Sequence, residues 1–242
     1  MSKVRLDQLV VESGLAPSRE RARALILAGH VSVDGRPVSK AGAQVDRAAQ
    51  LVLRAPDHPY VGRGGLKLAH ALDAFGIDAT GREALDLGAS TGGFTDVLLQ
   101  RGAARVVALD VGHGQLDWRL RNDPRVVVIE HFNARHLSPD DLPGPVDLVS
   151  VDVSFISLRQ ILPVIPPLLK PGADVILLVK PQFEAGRAEV RNGVIRDEAV
   201  RARVVGEIQA AAAAVGLTPA AVIPSPITGQ KGNVEFLLHL RA

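Results

Sequence analysis

Between residues 83 and 180 short apolar runs recur too far apart for hairpins, and this constrains the fold more than any other feature. The runs lie at 83–88, 105–110, 125–130, 146–152 and 173–180, with polar or helix-patterned segments between them. Strands joined by such long connections pair in parallel, because a parallel partner is reached only through a crossover. The pattern predicts an α/β fold with a doubly wound, mostly parallel Rossmann-like sheet. A helix near 67–75 precedes the first strand, and Asn233–His239 reads as a last edge or hairpin strand. Ligands of such sheets bind outside the carboxyl ends of the strands. Those ends carry Asp86, Asp110, Asn133 just past the third strand, Asp152 and Lys180, which would share one crevice.

The end of the first strand is the most specific. Glu83–Leu87 breaks into a turn of small residues, Gly88-Ala89-Ser90-Thr91-Gly92-Gly93, and Phe94–Leu99 reads as helix. A strand feeding a helix through glycines would bring backbone N–H groups and the positive helix end to a ligand. The spacing is not the G-x-G-x-x-G that cradles a pyrophosphate. Asp86 inside the strand end favours a cationic or hydroxyl-rich ligand instead, and S-adenosylmethionine fits with its ammonium, sulfonium and ribose. The candidate cofactor residues are therefore Asp86, Gly88, Ala89, Ser90, Gly92, Gly93 and Phe94, with Asp110 and Asn133. Asp110 follows Gly88 at the interval typical of a ribose-binding acid, which NAD sites share; the missing glycine fingerprint separates the two.

The chain has 242 residues and no cysteine, which removes disulfides, thiolate zinc sites and cysteine nucleophiles and suits a reducing, cytoplasmic location. No signal peptide and no run long enough to span a bilayer is visible, so no membrane partner is expected. His58, His113, His131 and His136 lack metal-ligand spacing, and no metal is expected. Oligomeric state is open, and a monomer is compatible with the composition. Charge is uneven: residues 1–54 hold nine Lys/Arg against five Asp/Glu, and the rest holds nineteen against twenty-one. A basic first module suggests a polyanionic partner.

That module, residues 1–54, reads as two short helices, a hairpin at Asp34-Gly35 and a closing strand at 50–53. Arg5-Leu6-Asp7, Ser18-Arg19, Ala22, Gly29, Val31, Val33-Asp34-Gly35 and Pro37-Val38 resemble the alpha-L RNA-binding module. The resemblance implies that Arg5, Arg19 and Arg23 contact RNA. Residues 55–65, rich in Pro and Gly, read as a linker that includes Arg63, and 66–242 as the methyltransferase domain. Phe183–Ile195, with Arg187 and Arg191, reads as either a basic lip or a plain loop.

The methyl acceptor narrows by absence. Carbon-5 methylation of pyrimidines generally needs a cysteine, and amino-group methylation an Asn/Asp-Pro-Pro-Tyr/Phe segment where this chain has Asp152-Val153-Ser154-Phe155. An oxygen acceptor remains, which needs a base or steering group; Lys180 is the candidate, with Lys67 a possible second cation. Arg63-Gly64-Gly65-Leu66-Lys67, Asp86–Phe94, Asp152–Phe155, Val179–Phe183 and Gly232–Phe236 together resemble the TlyA family of ribosomal RNA 2'-O-methyltransferases, built on the FtsJ-type fold. The resemblance implies a catalytic set of Lys67, Asp152, Lys180 and Glu235. In it Lys180 is the hydroxyl-directing base, Asp152 and Glu235 orient Lys180, and Lys67 tunes charge or holds the ribose-phosphate. It also implies cytidine ribose in ribosomal RNA or ribosomal subunits as substrate, with Arg63 among the RNA contacts. Two alternatives stand beside it: a non-catalytic RNA-binding or ribosome-assembly factor, and a membrane-lytic haemolysin. The presence of all four catalytic-type residues argues against the first. The lack of a long basic amphipathic helix argues against the second.

Overall fold

The computed structural model describes residues 3–16, 18–27, 29–53, 58–186 and 188–242. The chain divides into two compact units, Met1–Pro59 and Tyr60–Ala242. Residues 55–57 of the expected linker lie outside the described residues. Tyr60 and Val61 pack into the core of the second unit, so its first helix begins inside the expected linker.

In the first unit β1 (Lys3–Arg5) leads into α1 (Leu6–Glu12), and α2 (Arg19–Leu27) packs on it. β2 (Val31–Val33), β3 (Arg36–Pro37), β4 (Gln44–Asp46) and β5 (Leu51–Leu53) follow. β2 pairs with β3 and β5, and β1 with β4. Asp34 and Gly35 both take positive φ (50° and 77°), the backbone that a two-residue hairpin turn of this chemistry adopts. Leu6, Val10, Ala22, Ile26 and Val31 form the core. Each fully buried aliphatic side chain contributes roughly 1.5–3 kcal/mol.

In the second unit α3 (Gly64–Phe75) is stopped by Gly76 in the left-handed conformation, and β6 (Glu83–Leu87) then opens the sheet. α4 (Gly93–Gln100), β7 (Arg105–Leu109), α5 (Trp118–Arg121), β8 (Val126–Ile129), β9 (Val146–Val151) and β10 (Leu169–Val179) follow. Short 3-10 turns carry the β8–β9 and β9–β10 crossovers, where the alternation suggested helices. Prolines at 163, 166 and 167 explain this in the second crossover, since each removes a helical donor. α6 (Pro181–Glu184), α7 (Glu198–Ala214), β11 (Thr218–Pro224) and β12 (Phe236–Arg241) complete the chain.

The sheet order is β11-β12-β10-β9-β6-β7-β8, with β12 antiparallel to both neighbours. The terminal strand is thus inserted into the sheet, and β11, not foreseen from the sequence, is the edge. Leu237, Leu238, His239 and Leu240 are all buried, which an edge strand facing solvent would not allow. Strand order reverses between β6 and β9, which opens a crevice at their carboxyl ends. Among the described residues no helix is long and apolar enough to cross a membrane.

Candidate active site

At the crevice the chain makes two adjoining cavities. One, of about 550 Å³, is lined by Gly88, Ser90, Asp110, Asn133, Asp152 and Phe155 among others. The second, of about 400 Å³, is lined by Arg63, Lys67, Phe94, Lys180, Thr228 and Gly229 among others. They share Gly88, Ser90, Asp152 and Ser154. Ala89 and Gly93 also line the second cavity.

Close approach of the two strand ends demands glycine. Gly88 has φ +88°, and a Cβ there would lie 2.5 Å from the Asp152 carbonyl oxygen. A Cβ on Gly93 would lie 3.0 Å from the Gly65 nitrogen, so α3 and α4 also meet backbone to backbone.

The loop spends its amides internally instead of presenting them all to a ligand. Gly88 and Ala89 both donate to the Leu109 carbonyl (2.9 and 3.1 Å), and Gly92 donates to the Ala89 carbonyl (2.7 Å). Ser90 N–H donates to Asp110 Oδ2 (2.8 Å), and Gly112 N–H donates to Asp110 Oδ1 (2.6 Å). What faces the first cavity is therefore a fixed carboxylate with remaining acceptor capacity. That chemistry suits hydroxyls and cations and repels a pyrophosphate.

Asp86 and Gly92 line neither cavity. Asp86 is fully buried beneath the loop, where it accepts from Thr95 Oγ1 (2.7 Å) and Ser150 Oγ (3.0 Å). Burial pushes its carboxyl up to about 7; the two hydroxyl donors oppose this and the Asp152 charge adds to it. Gly92 (φ +97°) lies against Leu116 and Leu120, which fill the space a side chain would need. Both residues shape the loop and stand one layer back from any ligand.

The four candidate catalytic residues form two ion pairs. Lys180, at the N-terminal cap of α6, places Nζ 2.5 Å from Asp152 Oδ1 and donates to Ser154 Oγ at 2.8 Å. Lys67, one turn into α3, donates to Glu235 Oε2 at 2.5 Å, and both are buried. Glu235 thus orients Lys67, where the sequence reading had it orient Lys180. Its carboxylate sits behind Gly229, at a place that any Cβ on residue 229 would occupy.

Several residues at the site escaped the sequence reading. Ser154 bridges the cavities and receives the Lys180 hydrogen bond. Gln115 accepts from Ser90 Oγ at 3.3 Å. Phe155 is 86% exposed at φ +63°, and its ring meets Phe183 with centroids 5.0 Å apart. Lys180 Nζ stands 5.9 Å from the Phe183 centroid. The spelling Asp152–Phe155 was the available signal for two of these. Gln115 gave none, since it is set by the path of a loop.

The end of the 183–195 segment is tied down by Asn233. Asn233 donates to the Gly193 carbonyl (2.8 Å) and accepts from Ile195 N–H (3.2 Å). Arg187 lies outside the described residues.

In the first unit Arg5 grips Asp7 bidentately (3.0 and 2.9 Å), and Arg19 and Arg23 reach the same carboxylate at 3.3 and 3.2 Å. The Arg5 guanidinium, helped by Arg23 and Arg19, holds Asp7 well below the usual carboxylate range in spite of its burial. One carboxylate under three exposed guanidiniums leaves two positive charges in a fixed cluster. The sequence shows Asp7 within the Arg5-Leu6-Asp7 motif but not its part in gathering the arginines.

A profile for FtsJ-like methyltransferase matches residues 60–242, and one for the S4 domain matches 4–51. The chain is 50% identical over 241 residues to the 16S/23S rRNA (cytidine-2'-O)-methyltransferase TlyA of Mycobacterium tuberculosis, covering 99% of this chain and 90% of that one. It is 42% identical to Hemolysin A of Brachyspira hyodysenteriae, covering 98% and 99%. Among solved structures, one named for a hemolysin from Streptococcus thermophilus superposes with a TM-score of 0.79 at 43% identity, covering 100% of this chain and 89% of that one.

Proposed function

The chain belongs to the FtsJ-like methyltransferase family, in the branch of TlyA, and from that premise we propose that it methylates the ribose 2'-oxygen of cytidine in ribosomal RNA. The observation that carries the proposal is the cavity floored by Lys180–Asp152 and Lys67–Glu235, opening at Gly88 and Ser90 into the cleft of Asp110 and Asn133. S-adenosylmethionine, when bound, supplies an electrophilic methyl group on a sulfonium. Asp110, held by the Ser90 and Gly112 amides, is the acceptor for its ribose hydroxyls. Gly88, Ala89, Ser90, Gly93 and Phe94 shape the passage between the two cavities.

On this reading Lys180 receives the ribose hydroxyl. Asp152 and Ser154 fix Nζ, so the hydroxyl oxygen is aimed without a search through lysine rotamers. As the oxygen takes the methyl group and the sulfonium is left as a neutral thioether, the hydroxyl proton would pass to the Asp152 carboxylate, the basic member of the Lys180–Asp152 pair. Lys67, held by Glu235, offers a second fixed cation, and Arg63 at the exposed rim offers a third to the ribose-phosphate backbone. The rings of Phe155 and Phe183, tilted 50° to one another, offer apolar faces on which the target base can stack. The cluster of Arg5, Arg19 and Arg23 supplies RNA phosphate contacts in the S4 domain. A ribosomal substrate places the protein in the cytoplasm.

The test is transfer of labelled methyl groups to unmodified ribosomal subunits, followed by digestion to nucleosides. The expected product is 2'-O-methylcytidine, with activity lost in Lys180→Ala. Label on a base, or full activity of Lys180→Ala, overturns the assignment.

A further inference from the structure

The segment between Asp152 and Leu158 is held at both ends. At one end Asp152 N–H donates to the Leu87 carbonyl (2.9 Å), and Asp152 and Ser154 engage Lys180 at the start of α6. At the other end Ser157 Oγ–H donates to Glu184 Oε2 (2.5 Å) and Leu158 N–H to Glu184 Oε1 (2.7 Å). Glu184 is the last residue of α6, and its side chain is 1% exposed, with Arg159 at 3.9 Å as an ion-pair partner. One short helix thus grips both ends of one loop, through a residue that faces the cavity and through one that does not.

Phe155 lies between the two grips. It is a bulky residue in the left-handed region (φ +63°), where its own Cβ crowds the following carbonyl, and its ring is left in solvent. Neither local preference nor burial keeps it there. Freed at the Glu184 end, the backbone at 155 relaxes toward extended conformations, and the ring leaves Phe183, the ring that Lys180 Nζ approaches at 5.9 Å.

We propose that Glu184 is a positioning residue for the target nucleotide: by clamping Ser157 and Leu158 to α6 it holds Phe155 beside Phe183 as a stacking platform next to Lys180. This rests on the reading of the site as an RNA methyltransferase. Glu184 lines neither cavity. Its effect is carried by two hydrogen bonds to the loop, which a glutamine can largely reproduce because the Ser157 hydroxyl rotates to accept as well as donate.

The experiment measures methyl transfer to unmodified ribosomal subunits by full-length Glu184→Ala, Glu184→Gln, Phe155→Ala and the double variant Glu184→Ala/Phe155→Ala. Thermal midpoints and S-adenosylmethionine Kd are taken alongside. Glu184→Ala is expected to lower kcat/KM for RNA at least tenfold with cofactor Kd unchanged within twofold, and Glu184→Gln to recover most of that loss. In the Phe155→Ala background, Glu184→Ala is expected to add less than twofold. Additive losses, a wild-type Glu184→Ala, or a parallel loss of cofactor affinity overturns the inference. If Glu184→Ala does not fold, Ser157→Ala takes its place under the same criteria. A silent Phe155→Ala, by contrast, refutes the stacking platform itself, and absence of transfer by the wild type refutes the methyltransferase reading.

Discussion

Asp86 offers a test of how this fold builds its cofactor loop. Its carboxyl is fully buried and titrates near 7, about three units above an ordinary aspartate. The sign follows from linkage: the unfolded chain gives up this proton near pH 4, while the folded chain keeps it to about pH 7. Across that window the unfolded state binds fewer protons, so Asp86 erodes stability as pH rises and its effect levels off above 7. At about 1.4 kcal/mol per unit, the erosion between pH 5 and 8 is roughly 3 kcal/mol. Asp86→Asn removes the titration and keeps both hydroxyl partners, since Thr95 and Ser150 can each accept as well as donate. The variant should therefore gain roughly 3 kcal/mol on the wild type between pH 5 and pH 8. For a domain of this size that is a thermal midpoint shift of roughly 6–12 °C. Urea denaturation followed by fluorescence is the assay, because the single tryptophan, Trp118, lies in the second unit and reports that unit. Other titrating groups cancel in the comparison. An advantage that does not change between the two pH values would show that Asp86 is ionised throughout, and the account of the loop would fail.

Two further outcomes follow from the ion pairs. Glu235→Gln strips the buried Lys67 of its counter-charge, and breaking such a pair costs about 3–5 kcal/mol; thermal midpoint and kcat for RNA methylation should both fall while S-adenosylmethionine Kd holds, and an unchanged kcat counts against a role for Lys67. In the first unit the guanidiniums around Asp7 add stability above the ordinary carboxylate range, and this is lost as pH falls through and below it. Asp7→Asn should remove that acid sensitivity and weaken RNA binding by releasing Arg5, Arg19 and Arg23, as read by titration with ribosomal RNA at several salt concentrations; tighter binding, from the added net charge, would show that the arginines need no template.

The parallel sheet was legible because its strands are apolar on both faces and its connections are long, and both properties are local. Of the two readings of β12, edge or hairpin strand, the hairpin holds through its antiparallel pairing with β11, and the edge fails because a strand buried on both faces and a core-facing edge strand have nearly the same spelling over a few residues. Its place is set by pairing with β10 and β11, at distances in sequence that periodicity does not reach. β11 alternates half-buried and exposed residues and carries two prolines, which is compatible with an edge and easily passed over. The crossover turns are a different case: Pro163, Pro166 and Pro167 were visible and do explain the missing helix.

At the site, residue types were legible and partnerships were not. Four polar residues at four strand or helix ends can pair in more than one way, and only the crossing of α3 over β12 decides that Glu235 belongs to Lys67. The consequence is functional. With both carboxylates on Lys180, one lysine would carry all the acid–base work and Lys67 would be an unpaired buried cation, which a low-dielectric site does not tolerate. With one carboxylate on each, both cations are neutralised and aimed, and each can meet a different part of the same nucleotide. Asp86 makes the same point from the other side. The sequence presents it as a ligand because it stands in the strand end, but its side chain points into the sheet, and the acid that faces the first cavity is Asp110 on the next strand. The loop is acidic toward its ligand through Asp110, while beneath it burial pushes the Asp86 carboxyl up to about 7, so the core resists a second full charge under the cleft.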